Sequence, residues 1–270
     1  MTTAFTAIPG IDVITRTADI PMLGSLAVNA FVLHGEEPIL VDTGTVAGSD
    51  EFMDVLETVI NPAAIRWIWL THTDFDHIGS LARLLDTNPN LRVLTSFLGV
   101  GIMGLSSSPL PMDRVHLINV GQTMTTGDGR KLTAIRPPTY DNPITAGFVD
   151  DRTGVLFSSD CFGGLLPEVP QNAADLDIGT LQAGQVRWAT IDSSWVHDVD
   201  TQVFGRALAA TQAIEPTMVC SSHLPPAPGD MLRVFVDSLS QVPSADRFQG
   251  PDQAALEMMI AGMAAVPAGV

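Results

Sequence analysis

Residues 66–77 read Arg66-Trp-Ile-Trp-Leu-Thr71 and then His72-Thr73-Asp74-Phe75-Asp76-His77. The apolar run WIWL predicts a short buried strand. The six residues after Thr71 are too rich in ionisable groups to lie in a core, where an unpaired carboxylate costs several kcal/mol unless a metal or solvent compensates it. His72, Asp74, Asp76 and His77 are all metal-capable, and alternate residues of a loop project to one side. His72 and Asp74 are therefore placed to serve one ion, and Asp76 and His77 to turn toward a second.

The same pattern of an apolar run ending in a ligand-type residue recurs along the chain. Asp42 ends LVD, Asp141 lies in PPTYDNP, Asp160 ends LFSSD, and His223 comes directly after CSS. Open sheets place their sites at strand C-terminal ends, because the loops there share one rim. Strands are predicted at 11–17, 28–33, 38–42, 66–70, 91–96, 114–120, 131–136, 145–150, 153–159 and 217–222. Helices are predicted at 52–60 behind the capping pair Ser49-Asp50, then at 78–87, 199–214, 230–239 and 253–264. Residues 164–177 are the longest irregular stretch, of the kind that overhangs sites. Strands and helices in both halves predict an α/β fold, a four-layer αββα sandwich formed by residues 1–270 as a single domain, with helices after about residue 225.

The chain has 270 residues and a formal charge of −17, from 13 Lys and Arg against 30 Asp and Glu. That surface repels nucleic acid and anionic membranes, so neither is an expected partner. Cys161 and Cys220 are too few for a disulfide framework, and the N-terminal run shows no basic region leading into an apolar one. With no long uninterrupted apolar window, the expectation is a cytoplasmic protein.

The set His72, Asp76, His77, Asp160 and His223 resembles the metallo-β-lactamase superfamily, whose pattern is HxHxDH, a further His, an Asp nineteen residues later at a strand end, and a final His. Asp42 matches that superfamily's early strand-end Asp, a supporting residue. Asp74 stands where the hydrolases have His, and this HxDxDH variant resembles the HxExDH of the flavodiiron and oxygen-binding di-iron branch. Asp141 stands nineteen residues before Asp160, where most members have His. The resemblance implies metal ligands His72, Asp74, Asp76, His77, Asp141, Asp160 and His223, with Asp76 and Asp160 as catalytic positions. It assigns His72, Asp74 and Asp141 to one ion, Asp76, His77 and His223 to the other, and Asp160 to the bridge. It also implies a homodimer. About 45 residues lie beyond the pattern, too few for a flavodoxin-like domain, so electrons are expected from a separate redox partner.

Charge separates the chemistries. Four carboxylates bring −4 against +4 from two divalent ions, whereas a hydrolase site with two Asp ligands stands at +2. Surplus positive charge is what makes metal hydroxide a nucleophile near neutral pH. Hard oxygen ligands favour Fe or Mn over Zn. The expectation is two metal ions, iron with Mn or Zn as alternatives, in a protein that binds or reduces O2 or NO with external electrons. The alternatives are a metal-dependent hydrolase of an ester, lactone, thioester or phosphoester, and a non-catalytic oxygen-binding or sensing module. His197 is expected to be structural or at the surface, with an outer donor role as the alternative, and Tyr140 either hydrogen-bonds a bound ligand or belongs to a turn. His34, His116, Trp188, Trp195 and both cysteines are expected to be structural, with Cys161 turned into the core by strand alternation.

Overall fold

In a strand, successive side chains face opposite ways, and this chain uses both faces of nearly every strand. A computed structural model describes residues 1–106 and 108–264. Its first sheet contains β1 (Thr2–Ile8), β2 (Ile11–Ile20), β3 (Gly24–Leu33), β4 (Ile39–Val41), β5 (Trp67–Trp69), β6 (Arg92–Thr95) and β7 (Val115–Leu117), in that spatial order. β1 to β4 pair antiparallel, and β4 to β7 pair parallel. The second sheet contains β8 (Thr123–Thr125), β9 (Lys131–Ile135), β10 (Gly147–Asp150), β11 (Val155–Phe157), β12 (Met218–Cys220) and β13 (Ala227–Pro228), ordered β13-β12-β11-β10-β9-β8. Only β11 and β12 pair parallel in that sheet.

Phe31, Leu33, Ile39, Val41, Trp67 and Trp69 face the second sheet and meet Leu132, Phe148, Val155, Phe157 and Cys220. Their alternates face outward. Val32, Leu40 and Ile68 pack under α1 (Ser49–Val59) and α2 (Leu81–Thr87), with Met103 of α3 (Phe97–Met103) in the same layer. Leu156 and Val219 pack under α4 (Ile178–Asp192), α5 (Thr201–Gln212) and α6 (Leu232–Gln241). The result is the expected αββα sandwich, and α7 (Gln253–Ala264) comes after it. An aromatic run stitches the sheets together, with Trp69 4.4 Å from Phe148, Phe148 stacked 4.5 Å from Phe157, and Phe31 edge-on to Phe157 at 5.3 Å.

Several boundaries differ from those the sequence predicts. β1, β8 and β13 are additional strands, and α3 and α4 are additional helices. Residues 78–80 form a turn, so α2 begins at Leu81. The irregular stretch 164–177 carries a short 3-10 turn, Ala173–Asp175, and a bridge between Leu166 and Ser25. β11 stops at Phe157, so Cys161 lies beyond the strand, in the turn after Asp160. It is nonetheless buried in the apolar layer under α4 to α6, where burial pushes its thiol up to about 12.

Candidate metal centre

β4, β5, β11 and β12 run so that their C-terminal ends open on one rim, and the loops there carry Asp42, His72 to His77, Asp160 and His223. β9 pairs antiparallel with β10, and β10 with β11, so the connection leaving β9 brings Asp141 to the same rim. Three residues at this rim hold left-handed backbone that β-carbons disfavour: Asp42 (φ 57°), Ser159 (φ 55°) and Phe162 (φ 68°). Strain of this kind persists only where surrounding structure over-determines it.

The turn after β4 clamps the loop 72–77. The Thr43 amide donates to the His77 carbonyl at 2.7 Å, Val46 to Phe75 at 3.0 Å, and Gly79 back to Gly44 at 2.8 Å. Across the sandwich, Asn29 of β3 donates its side-chain amide to the carbonyls of Ser221 (2.9 Å) and Leu224 (2.8 Å), bracketing His223.

Each histidine is oriented through Nδ1. His77 Nδ1 meets Asp42 Oδ2 at 2.8 Å, and His223 Nδ1 donates to the Ala27 carbonyl at 2.8 Å. The Thr71 hydroxyl donates to Asp42 at 2.7 Å, which leaves its lone pair to accept from His72 Nδ1 at 3.2 Å. All three Nε2 atoms are thereby turned inward, the arrangement that outer hydrogen bonds produce in metal-binding histidines.

Inside, Asp160 is divided between the rings. Its Oδ2 lies 3.3 Å from His72 Nε2, while Oδ1 lies 3.2 Å from His77 Nε2 and 3.3 Å from His223 Nε2. Asp76 Oδ2 is 3.5 Å from His77 Nε2 and 3.3 Å from His223 Nε2. Asp141 Oδ1 is 3.9 Å from His72 Nε2. Ligand atoms of His72, Asp74 and Asp141 lie within 4.8 Å of one another, as do those of Asp76, His77 and His223, and those of His72, His77 and Asp160. All seven residues singled out from the sequence thus meet at one place.

Nε2 of His72, Nε2 of His77 and Oδ1 of Asp160 are fully buried with no hydrogen-bond partner. Buried polar atoms without a partner are costly. Three of them converging with carboxylates fit a pair of cations. The charges strain against one another in the protein alone. Burial would lower His77 and His223, but Asp160, together with Asp42 beside His77 and Asp76 beside His223, overrides it; His77 is held well above its ordinary value and His223 at about 9. Burial and then His77 hold His72 down. Burial, then Asp160 and Asp74, push Asp141 up to about 7. Burial would raise Asp160, yet the three histidines outweigh it and hold that carboxyl well below the usual carboxylate range.

The family described as "ODP family beta lactamase" matches residues 26–185. The chain belongs to that family. This is the flavodiiron branch of the metallo-β-lactamase superfamily that the HxDxDH loop points to. The flavo-diiron protein FprA2 of Clostridium acetobutylicum is 27% identical over 135 residues, 50% of this chain and 34% of the relative. The anaerobic nitric oxide reductase flavorubredoxin of Pectobacterium atrosepticum is 28% identical over 136 residues, 50% of this chain and 26% of the relative. Among solved structures, the rubredoxin oxygen:oxidoreductase of Desulfovibrio gigas superposes with a TM-score of 0.78 at 19% identity, over 90% of this chain and 62% of that one. The chain spans about a quarter to a third of the length of these curated relatives.

Other contributors carry no signal in the sequence. Trp188 of α4 sets its ring edge-on to His223 at 4.9 Å and donates to the Asp160 carbonyl at 3.2 Å. Gly163 is what admits that ring, since a β-carbon there would stand 2.5 Å from Trp188 Nε1 and 2.8 Å from His223 Cβ. Asn142 donates to Asp74 Oδ1 at 3.2 Å. Asp192, the last residue of α4, has a ligand atom within 4.8 Å of those of Asp141 and Asp160. Tyr140 instead tilts against Trp195 at 4.9 Å, its carbonyl accepting from Trp195 Nε1 at 2.7 Å, with the Arg136 guanidinium over its ring. His34 pairs with Asp12 at 2.7 Å and His116 sits edge-on to Trp67, both away from the rim.

Proposed function

We propose that this chain is a dinuclear non-haem iron protein that binds or reduces O2 or NO with electrons supplied by a separate redox protein. The single observation that carries this reading is the division of Asp160, one oxygen toward His72 and the other toward His77 and His223. It supports a reading in which Asp160 faces both of two ions, of which His72, Asp74 and Asp141 would hold one and Asp76, His77 and His223 the other. Manganese and zinc are the competing occupants.

Two iron ions held there would supply one-electron steps to a small bound ligand. The chain's own residues do the rest. Nδ1 anchoring fixes the three imidazoles, so that no reorganisation is needed when the centre changes charge. The imidazoles are fully buried, whereas the side chains of Asp76 and Asp141 are 34% and 24% exposed. Those two carboxylates border the side on which a diatomic ligand would enter, with Asp160 buried behind them. Carboxylate at position 74 removes the surplus positive charge that a hydrolytic hydroxide needs.

The names of two relatives, a nitric oxide reductase and an oxygen oxidoreductase, support the choice of ligand. Phe75, 79% exposed between Asp74 and Asp76, borders an open groove of about 570 Å³ with Val46 and Ile78, a surface suited to a redox partner or a second copy of the chain. Mixing the reduced, iron-loaded protein with O2 and with NO, with and without an external reductant, tests the reading. Turnover supports a reductase, a stable adduct supports a binding module, and colourless zinc protein with esterase activity supports the hydrolase.

A further inference from the structure

We propose that Asp192 is an eighth metal-binding position of this centre, a carboxylate delivered by the C-terminal end of α4 that biases the ion shared with Asp141 toward a hard, higher-charge metal. The proposal rests on the two-ion reading above and concerns a residue beyond its seven ligands. Asp192 shares a 4.8 Å neighbourhood with Asp141 and Asp160. The unpartnered Nε2 of buried His72 points into the same neighbourhood, 3.3 Å from Asp160 and 3.9 Å from Asp141.

The helix end and the neighbouring carboxylates oppose a negative charge on Asp192, and only the Ser193 hydroxyl and His223 favour one. Asp192 is the last residue of α4, where the helix dipole is negative. Two carboxylates adjoin it. Among the described residues no Lys or Arg forms a salt bridge with it; its hydrogen bond comes from the buried Ser193 hydroxyl at 2.9 Å. An ionised carboxylate in such surroundings needs a cation to face, and without one it takes a proton. With Asp192 the donor set carries five carboxylates, −5, which two divalent ions (+4) leave at −1 and a divalent–trivalent pair (+5) balances. Iron and manganese reach the trivalent state; zinc does not.

The test uses metal-free full-length protein mixed with equimolar ferric citrate and zinc salts, desalted, and assayed for both metals. The wild-type chain should hold two ions with iron enriched, and Asp192→Asn should lower the iron-to-zinc ratio by about tenfold. Asp192→Glu, which keeps a carboxylate, should stay within about twofold of wild type. If Asp192→Asn matches wild type at two ions, the inference fails and the seven-ligand centre stands. Equal loss in both variants, including through misfolding, assigns Asp192 to packing and overturns the inference. A wild-type chain that takes up neither ion overturns the two-ion reading itself.

Discussion

The carboxylate of Asp42 stands 2.8 Å from Nδ1 of His77, with both side chains 1% exposed. Neither residue is free to turn, because Asp42 also accepts from the Thr71 amide at 2.9 Å and the Thr71 hydroxyl at 2.7 Å. The pair couples the turn after β4 to the loop after β5. It sets which nitrogen of His77 faces the centre.

Asp42→Asn is accordingly expected to weaken metal binding by about 10- to 100-fold, the range for partners that orient metal-binding histidines. Competition against a chelator measures it. Asp42→Ala adds the cost of two unpaired Thr71 donors, about 1–3 kcal/mol each in a buried setting, readable as a lower denaturation midpoint of the metal-free protein.

Position 74 is where charge decides the chemistry. Asp74→His is expected to shift metal preference from iron toward zinc and to raise hydrolysis of activated esters from background. Metal analysis and an ester assay on the same preparation check both; unchanged iron binding with no hydrolysis counts against a role for charge.

The metal-free protein should lose stability as pH rises from 6 to 9. His223 is raised from 6.5 to about 9, and His77 in the same direction; a raised value contributes stability that is full below the unfolded pKa and lost as pH climbs through the folded one. Asp141 and Asp192, raised from 3.8 to about 7 by burial and neighbouring carboxylates, lose theirs between those values, with the same sign. His72 works the other way below 6.5. Metal loading displaces the histidine protons, so the melting temperature of the loaded protein should be flatter over the same range and metal uptake should release protons.

Away from the rim, Arg130 and Asp150 form an ion pair at 2.9 Å with 2% and 0% of their side chains exposed. Arg130→Met strands a buried carboxylate and should cost about 3–5 kcal/mol, measured by denaturant unfolding, while the number of metal ions per folded chain stays the same.

The parts of the fold that were legible in the sequence are those in which local signal and tertiary role agree. WIWL is both a β-rich run and a two-faced buried strand, and HTDFDH is both a turn and the loop whose ionisable side chains gather at the rim. α4 was hidden because Gly179 and Gly184 depress helix propensity. Yet Gly184 is what lets the helix approach the 164–166 segment, since a β-carbon there would meet the Leu165 carbonyl oxygen at 2.6 Å. With α4 hidden, Trp188 and Asp192 were hidden too, because their relation to Asp160 exists only across the folded layers. Asn29 was illegible for a similar reason: an Asn inside an apolar strand carries no local hint that it brackets a loop of the opposite sheet. Cys161 lies in the core as expected, although a turn places it there rather than strand alternation.

The most direct test is the metal content of the chain purified without added metal, measured together with its near-ultraviolet spectrum. Two iron ions per chain and the absorbance of an oxo-bridged ferric pair are expected, both abolished by Asp160→Ala. A chain holding no ion, a single ion, or two zinc ions with a featureless spectrum would contradict the di-iron centre.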